Sequence, residues 1–386
     1  MLFFLAAWFL FGALALGPPA FIFLYMKHKS NASWPTKVDY AYKPKVSIII
    51  PTYNEAGIIG YKLDNSSRLT YPKDLLEIVI VDSNSTDNTV KIAQDFSEKE
   101  KNLNIELLVE GERKGKSHAL NNALAHCKGD IVIISDADCF WPSDILEKAL
   151  PYLADSSVGA IGGLKILFNS KQTWITRMEE SYLKSANFLR LGESKTGSTV
   201  FFEGGFSAFK KEALDKFDPY GTGSDDCGTI ISVIEKNYRA MLVKEAKFYS
   251  SFPATFRGKI SIKLRRINQL VRVFSKYLDL LVKGKVKSSK STVVPNTLLY
   301  LVSPIAFAVF LVLTAYLVLS YPMLLFFSLL LFAPQVRFYV YQIVENNILL
   351  FVSILAVLFG QKFSVWAQPE DRVWFTRENL SSYNLI

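Results

Sequence analysis

The chain has 386 residues, half of them hydrophobic, with 44 Lys+Arg against 35 Asp+Glu and a formal net charge of +9. That length holds one domain of ordinary size with chain to spare, and the positive mean hydropathy argues against a purely soluble protein. The basic residues crowd beside the apolar ends and form no basic face on a recognisable nucleic-acid module, so the expected partners are membrane lipids and not nucleic acid. Cys127, Cys139 and Cys227 show no metal-ligand spacing and leave an odd count. Together with only three histidines, this sets aside a disulfide framework and a His-based metal or triad site, and a reducing compartment fits.

Residues 2–26 are uncharged and long enough to cross about 30 Å of hydrocarbon as a helix. Gly17-Pro18-Pro19 is expected to kink or split that helix. A cleaved signal peptide is the alternative, with Ala13-Leu14-Ala15 as a faint cleavage pattern, but no positive residues precede the apolar run. Lys27, Lys29, Lys37, Lys43 and Lys45 follow it. Positive flanks stay in the cytosol, so residues 1–27 read as a retained membrane anchor with its C-terminal side cytosolic.

From residue 44 to 250 apolar strands alternate with helices. Strands are expected at 46–50, 76–81, 105–109 and 131–134, and helices at 55–69, 86–98, 116–125 and 229–236. This pattern predicts an α/β domain with a mostly parallel sheet flanked by helices, whose ligands bind beyond the carboxyl ends of the strands. Residues 251–290 form a basic amphipathic stretch that reads as a helix lying on the membrane surface, the alternative being an ordinary surface helix. Residues 296–364 are apolar enough for two or three spans. Their polar group Glu345-Asn346-Asn347 is expected to be a cytosolic turn between two of them. Residues 365–386 are a polar tail. Three further spans would put Arg372, Arg377 and this tail outside, against the positive-inside expectation.

Three carboxylate clusters stand at strand ends. Asp82 follows the second strand and opens the run Ser83-Asn84-Ser85-Thr86-Asp87. It is a candidate acceptor for a nucleoside, while Ser85 or Thr86 is expected to cap the next helix with Asp87 in its first turn. Asp136 and Asp138 follow the wholly apolar fourth strand. Residues two apart in extended chain point the same way, so both carboxylates can face one hard cation, Mg2+ or Mn2+, shared with a diphosphate. Asp225 and Asp226 precede the helix at 229–236. They are the best remaining candidates for a catalytic base, although the helix dipole alone would also favour acids there.

In order, the motifs are Pro51-Thr52-Tyr53-Asn54-Glu55, Asp82 with its polar run, Gly115-Lys116-Ser117-His118-Ala119-Leu120-Asn121, Asp136-Ala137-Asp138, Gly204-Gly205-Phe206-Ser207-Ala208-Phe209 and Asp225-Asp226. This series resembles the family 2 glycosyltransferases, especially their membrane branch with its cellulose- and hyaluronan-synthase-like enzymes, over roughly residues 44–250. The resemblance implies a GT-A fold, a nucleotide-diphosphate-sugar donor, a divalent metal and inversion at the anomeric carbon. It implies that Glu55 and Asp82 hold the nucleoside, that Pro51 and Tyr53 are among the substrate-binding residues and that Lys116 serves the diphosphate. It further implies that Asp136 and Asp138 hold donor and metal, that Asp226 is the base and that Asp225 orients it. Arg265 or Arg266 would help the leaving diphosphate.

Processive members of the family carry Gln-x-x-Arg-Trp, where this chain reads Lys263-Leu264-Arg265-Arg266-Ile267. The missing Gln and Trp place processive synthesis in doubt. The expected activity is therefore transfer of one hexosyl or N-acetylhexosaminyl unit to a lipid-linked, polyprenyl-phosphate or other glycan acceptor at the cell membrane, with the catalytic domain in the cytoplasm. The alternatives are a processive polysaccharide synthase and a non-catalytic nucleotide-sugar-binding scaffold. The Gly-rich amino-terminal loop of sugar-nucleotide-forming transferases is absent.

Overall fold

A computed structural model describes residues 2–287, 289–363 and 375–386, and the chain divides into two compact units. The first contains residues 26–260, 285–292 and the C-terminal segment. Among its described residues, seven strands form one sheet in the order β3-β2-β1-β4-β6-β5-β7: β1 (Val46–Thr52), β2 (Leu76–Asp82), β3 (Asn104–Val109), β4 (Ile131–Ile134), β5 (Val158–Leu167), β6 (Ser207–Lys210) and β7 (Arg239–Ser250). β1, β2 and β4 are buried along nearly their whole length, as expected of strands covered on both faces. β3 closes one edge and is half-exposed.

The chain order reverses about β1, which pairs in parallel with β2 on one side and with β4 on the other. A crevice at such a reversal opens at the carboxyl ends of the strands, where Asp82 ends its strand and Tyr53 and Asp136 follow theirs. β6 runs antiparallel to β4, with Ile134 opposite Ser207. The residues entering β6 therefore lie over those leaving β4, and the amide of Asp136 donates to the carbonyl of Gly204 at 3.0 Å.

Twelve α-helices complete the described chain: α1 (Leu2–Lys29), α2 (Ile59–Ser67), α3 (Thr89–Lys99), α4 (Lys116–His126), α5 (Ile145–Ala149), α6 (Trp174–Thr196), α7 (Cys227–Glu235), α8 (Phe256–Val282), α9 (Lys290–Thr297), α10 (Ser303–Ser320), α11 (Pro334–Leu358) and α12 (Arg377–Ser382). α1 runs unbroken through Pro18 and Pro19. The expected split does not occur.

The second unit gathers residues 1–25, 261–284 and 293–364. Among the described residues, three helices are long and apolar enough to cross a membrane: Leu2–Lys29, the composite Lys290–Ser320, and Val336–Leu358. Trp8 Nε1 donates to Thr314 Oγ1 at 2.8 Å, tying α1 to α10. α8 packs here too, with Val271 against Leu350 and Ile354 and the ring of Phe274 stacked on Tyr300 at 4.5 Å. From residue 261 to its end, α8 is thus a packed helix of this unit.

Glu345-Asn346-Asn347 is not a turn. α11 continues through it, because the polar groups find partners within the unit. Lys263 of α8 reaches Glu345 Oε2 at 3.0 Å and Asn346 Oδ1 at 3.4 Å, and Tyr341 donates to Glu345 Oε1 at 2.9 Å. Glu345 is buried and Lys263 nearly so, at 6% and 12% side-chain exposure. Removing one partner of such a pair costs roughly 3–5 kcal/mol, whereas replacing both with apolar residues is near neutral. Glu345→Leu is therefore expected to lower the melting temperature sharply in detergent, and the double change Glu345→Leu/Lys263→Met to recover most of the loss. Arg372 lies outside the described residues.

Candidate active site

Two loops meet at the carboxyl ends of β1 and β2. Asn54 takes a left-handed conformation, φ 54°. Its amide donates to Ser85 Oγ at 2.8 Å and its Oδ1 accepts from the amide of Thr86 at 2.8 Å. The amides of Glu55 and Ala56 donate to Thr89 Oγ1 at 2.7 Å and Asp87 Oδ2 at 3.1 Å. Pro51 and Tyr53 are partly exposed and Glu55 is buried.

Asp82, the candidate nucleoside acceptor, is held rigidly. Its side chain is fully buried and accepts from Thr52 Oγ1 at 2.8 Å, the amide of Ser85 at 2.7 Å and Ser85 Oγ at 2.6 Å. Thr52 stands directly across the ladder from Asp82, so the acid knots the two loops together. The expected caps differ: α3 starts from Asn88 without a side-chain cap, and the first-turn amide of Thr89 goes to Asp87 Oδ1 at 2.9 Å.

The guanidinium of Arg113 lies 3.8 Å from the centre of the Tyr53 ring. Sequence reasoning missed this residue. The only signal was a charged run, Glu112-Arg113-Lys114, after the third strand.

Lys116 joins two of the carboxylate clusters. Gly115, at φ 99°, sits immediately before α4, a backbone conformation open to glycine and strained for other residues. From the first position of α4, Lys116 Nζ lies 2.6 Å from Asp136 Oδ1 and 2.8 Å from Asp225 Oδ2. The two carboxylates overcome burial and hold this ammonium charged, well above its ordinary range. Gly204 leaves the space this cluster needs: a Cβ there would stand 2.7 Å from Asp136 Oδ2 and 3.0 Å from Lys116 Nζ.

Burial pushes the Asp225 carboxyl up to about 6, against the pull of Lys116 and with the push of Asp226 and Asp136. Asp226 stands at the start of α7, its carboxylate accepting from the amide of Cys227 at 2.6 Å and from Ser224 Oγ at 2.5 Å. The acid pair therefore does cap a helix, and it also reaches the Lys116 cluster through Asp225. Arg265 and Arg266 are partly buried on α8, in the unit of the apolar helices.

Asp136, Asp138 and Cys139 bring one ligand atom each within 4.8 Å of one another. Burial raises the Cys139 thiol well above its ordinary pKa, so it stays protonated and is a poor ligand. What remains is a pair of hard carboxylate oxygens, a donor set that fits Mg2+ or Mn2+. Lys116, the partner of Asp136, is shared with Asp225.

A parallel sheet core with acidic groups gathered at its carboxyl edge fits the GT-A type of glycosyltransferase domain, and the comparisons with known proteins agree. The sequence pattern of Glycosyl transferase family 2 matches residues 47–218. The solved mannosyltransferase PcManGT from Pyrobaculum calidifontis, in complex with GDP-Man and Mn2+, is 30% identical with a TM-score of 0.78, covering 92% of this chain and 99% of that one. The beta-monoglucosyldiacylglycerol synthase of Synechocystis sp. is 32% identical over 172 residues, 45% of this chain and 36% of that protein. Glycosyltransferase AglE of Haloferax volcanii is 38% identical over 120 residues, 31% of this chain and 39% of that protein. The chain spans a little over a third of the length of these two curated relatives. It belongs to glycosyl transferase family 2.

Proposed function

We propose that this protein transfers one hexosyl unit, with inversion, from a nucleoside-diphosphate sugar to a hydroxyl or phosphate oxygen of a lipid-borne acceptor. The observation that carries this reading is the Lys116 bridge. It joins Asp136 and Asp225, which come from separate motifs, at the carboxyl edge of the sheet. The hexosyl reading is supported by PcManGT, solved with GDP-Man, and by the name of the Synechocystis relative, a monoglucosyldiacylglycerol synthase.

In this mechanism the nucleoside lies against the Tyr53–Arg113 wall, on loops that Asp82 and Glu55 help to hold. Lys116 and Asp136 orient the diphosphate. Asp226 accepts the proton of the acceptor hydroxyl as that oxygen bonds to the anomeric carbon, while the bond from the anomeric carbon to the phosphate oxygen breaks and the nucleoside diphosphate leaves with the electron pair. A divalent cation held mainly by Asp138 would supply Lewis-acid stabilisation of the charge on that leaving group.

Two spans after the catalytic domain would return the chain to the side on which it started. The packing of Phe375, Leu380 and Leu385 within the catalytic unit's core supports that topology, and Lys27 and Lys29 at the end of α1 make the shared side cytosolic. Acceptor sequons placed near residue 40 and after residue 386 are expected to escape glycosylation in microsomes, and one at residue 321 to receive it. Modification near residue 40 would reverse the orientation.

The activity is tested by mass spectrometry of lipids from membranes with and without the protein, each given a panel of nucleotide sugars. One added sugar on a lipid supports the reading. A ladder of products would make the protein a processive synthase, and no product with any donor would leave only a binding scaffold.

A further inference from the structure

The loop that carries Asp136 and Asp138 is held from behind by groups that the mechanism does not use. Lys62, on α2 and fully buried, donates from Nζ to Ser135 Oγ at 2.6 Å and to the carbonyl of Cys139 at 2.6 Å. These two bonds bracket the Asp136-Ala137-Asp138 triplet. Asn65, one turn later, accepts from the amide of Trp141 at 2.9 Å and donates to its carbonyl at 2.7 Å. Trp141 Nε1 in turn donates to the carbonyl of Gly205 at 2.7 Å, next to the glycine that lies against Asp136. A buried ammonium and a buried amide are costly ways to fill space that apolar side chains would fill more cheaply. Their hydrogen bonds to the loop backbone and Ser135 argue for holding the loop's shape.

The far end of the chain joins this support. Asn65 Nδ2 also donates to the carbonyl of Leu385 at 2.6 Å. The ring of Phe375 sits between Phe140 at 4.4 Å and Phe168 at 4.0 Å. Tyr383 packs on Tyr249 at 5.2 Å, and the backbones of Tyr249 and Phe140 exchange hydrogen bonds at 2.8 and 2.9 Å. Residues that follow the last membrane helix in sequence thus touch the support of the loop at Asn65, Phe140 and Tyr249.

We propose that residues 375–386 are a strap that, acting through Asn65, Phe140 and Trp141, positions the Asp136–Asp138 loop for its ligands. Phe375 and Asn65 are positioning residues and touch neither donor nor acceptor. The inference rests on the reading of this loop as the metal and diphosphate site, and the test separates the two.

Full-length protein in lipid nanodiscs is compared with Phe375→Ala, with Phe375→Tyr, and with a variant lacking residues 384–386, which keeps Phe375 and Leu380 in place. Hydrogen exchange is first read without metal. Amides of 135–143 are expected to exchange about 10-fold faster in Phe375→Ala and in the shortened chain, with those of 76–82 unchanged and Phe375→Tyr close to the parent. Mn2+ is then titrated alone and followed by electron paramagnetic resonance, and its half-saturating concentration is expected to rise about 10-fold, the usual effect of losing a group that orients a ligand. Unchanged exchange at 135–143, or faster exchange across the whole domain, would reduce the strap to packing and overturn the proposal. Failure of both Phe375→Ala and the shortened chain to fold would do the same. Altered loop exchange without any Mn2+ binding in the parent would keep the strap and overturn the metal reading.

Discussion

Asp226→Asn is expected to lower turnover by roughly 10²–10⁴-fold, the usual worth of a positioned general base, while leaving donor affinity close to that of the parent. The amide keeps the carboxylate's shape and an acceptor oxygen for the amide of Cys227 and the hydroxyl of Ser224, both of which Asp226 now receives. What it loses is the capacity to take a proton. A purely structural role predicts another pattern. Weakening the start of α7 would cost about 0.3–1 kcal/mol of helix-dipole stabilisation and would appear in thermal melts, with turnover per folded molecule unchanged. Asp225→Asn should do less to turnover, since an asparagine keeps a polar oxygen facing the ammonium of Lys116, which stands 2.8 Å from Asp225 Oδ2. Melts and donor isotherms on the two variants separate base from cap.

Asp138→Asn is expected to abolish detectable transfer and to remove the dependence of donor binding on divalent metal. Asp136→Asn should also abolish transfer but retain part of that dependence. The asymmetry comes from Lys116, whose ammonium stands 2.6 Å from Asp136 and, shared with Asp225, offsets part of that carboxylate's charge. Neutralising Asp138 removes the main anionic oxygen a hard cation would find in the loop. The measurement is a donor-binding isotherm with Mn2+ and with EDTA for each variant. Equal donor affinity and full activity of the parent protein in EDTA would contradict the metal assignment.

β1, β2 and β4 were legible because they are buried along nearly their whole length and read as mainly apolar runs, Ile131 to Ile134 most plainly, and the half-exposed β3 still carries Ile105, Leu107 and Leu108. β5, β6 and β7 were not. β5 is interrupted by Gly159, Gly162 and Gly163, β6 has four residues, and β7 mixes buried positions with Lys244, Glu245 and Lys247. The acidic clusters could be found because strand ends in an α/β sheet have a predictable location.

What holds them could not be found in the same way. Lys62, Asn65 and Arg113 act through side-chain contacts between distant parts of the chain, the bond from Asn65 to Leu385 spanning 320 positions, and no local pattern encodes such a meeting. Asp82 was placed correctly at its strand end, but the inward turn of its carboxylate depends on Thr52 of the neighbouring strand. At Glu345 the polarity of three consecutive residues suggested a turn, because the partner that lets the helix continue, Lys263, lies 82 positions away.

The central claim is a direct displacement in which Asp226 deprotonates the acceptor on the face of the sugar opposite the leaving diphosphate. The configuration of the new glycosidic bond tests it most directly. With an α-linked nucleotide sugar as donor, proton NMR of the freshly formed product should show the β anomer alone. A product with the α configuration retained would require two displacements or a front-face path, and would contradict the assignment of Asp226 as the base of a single inverting step.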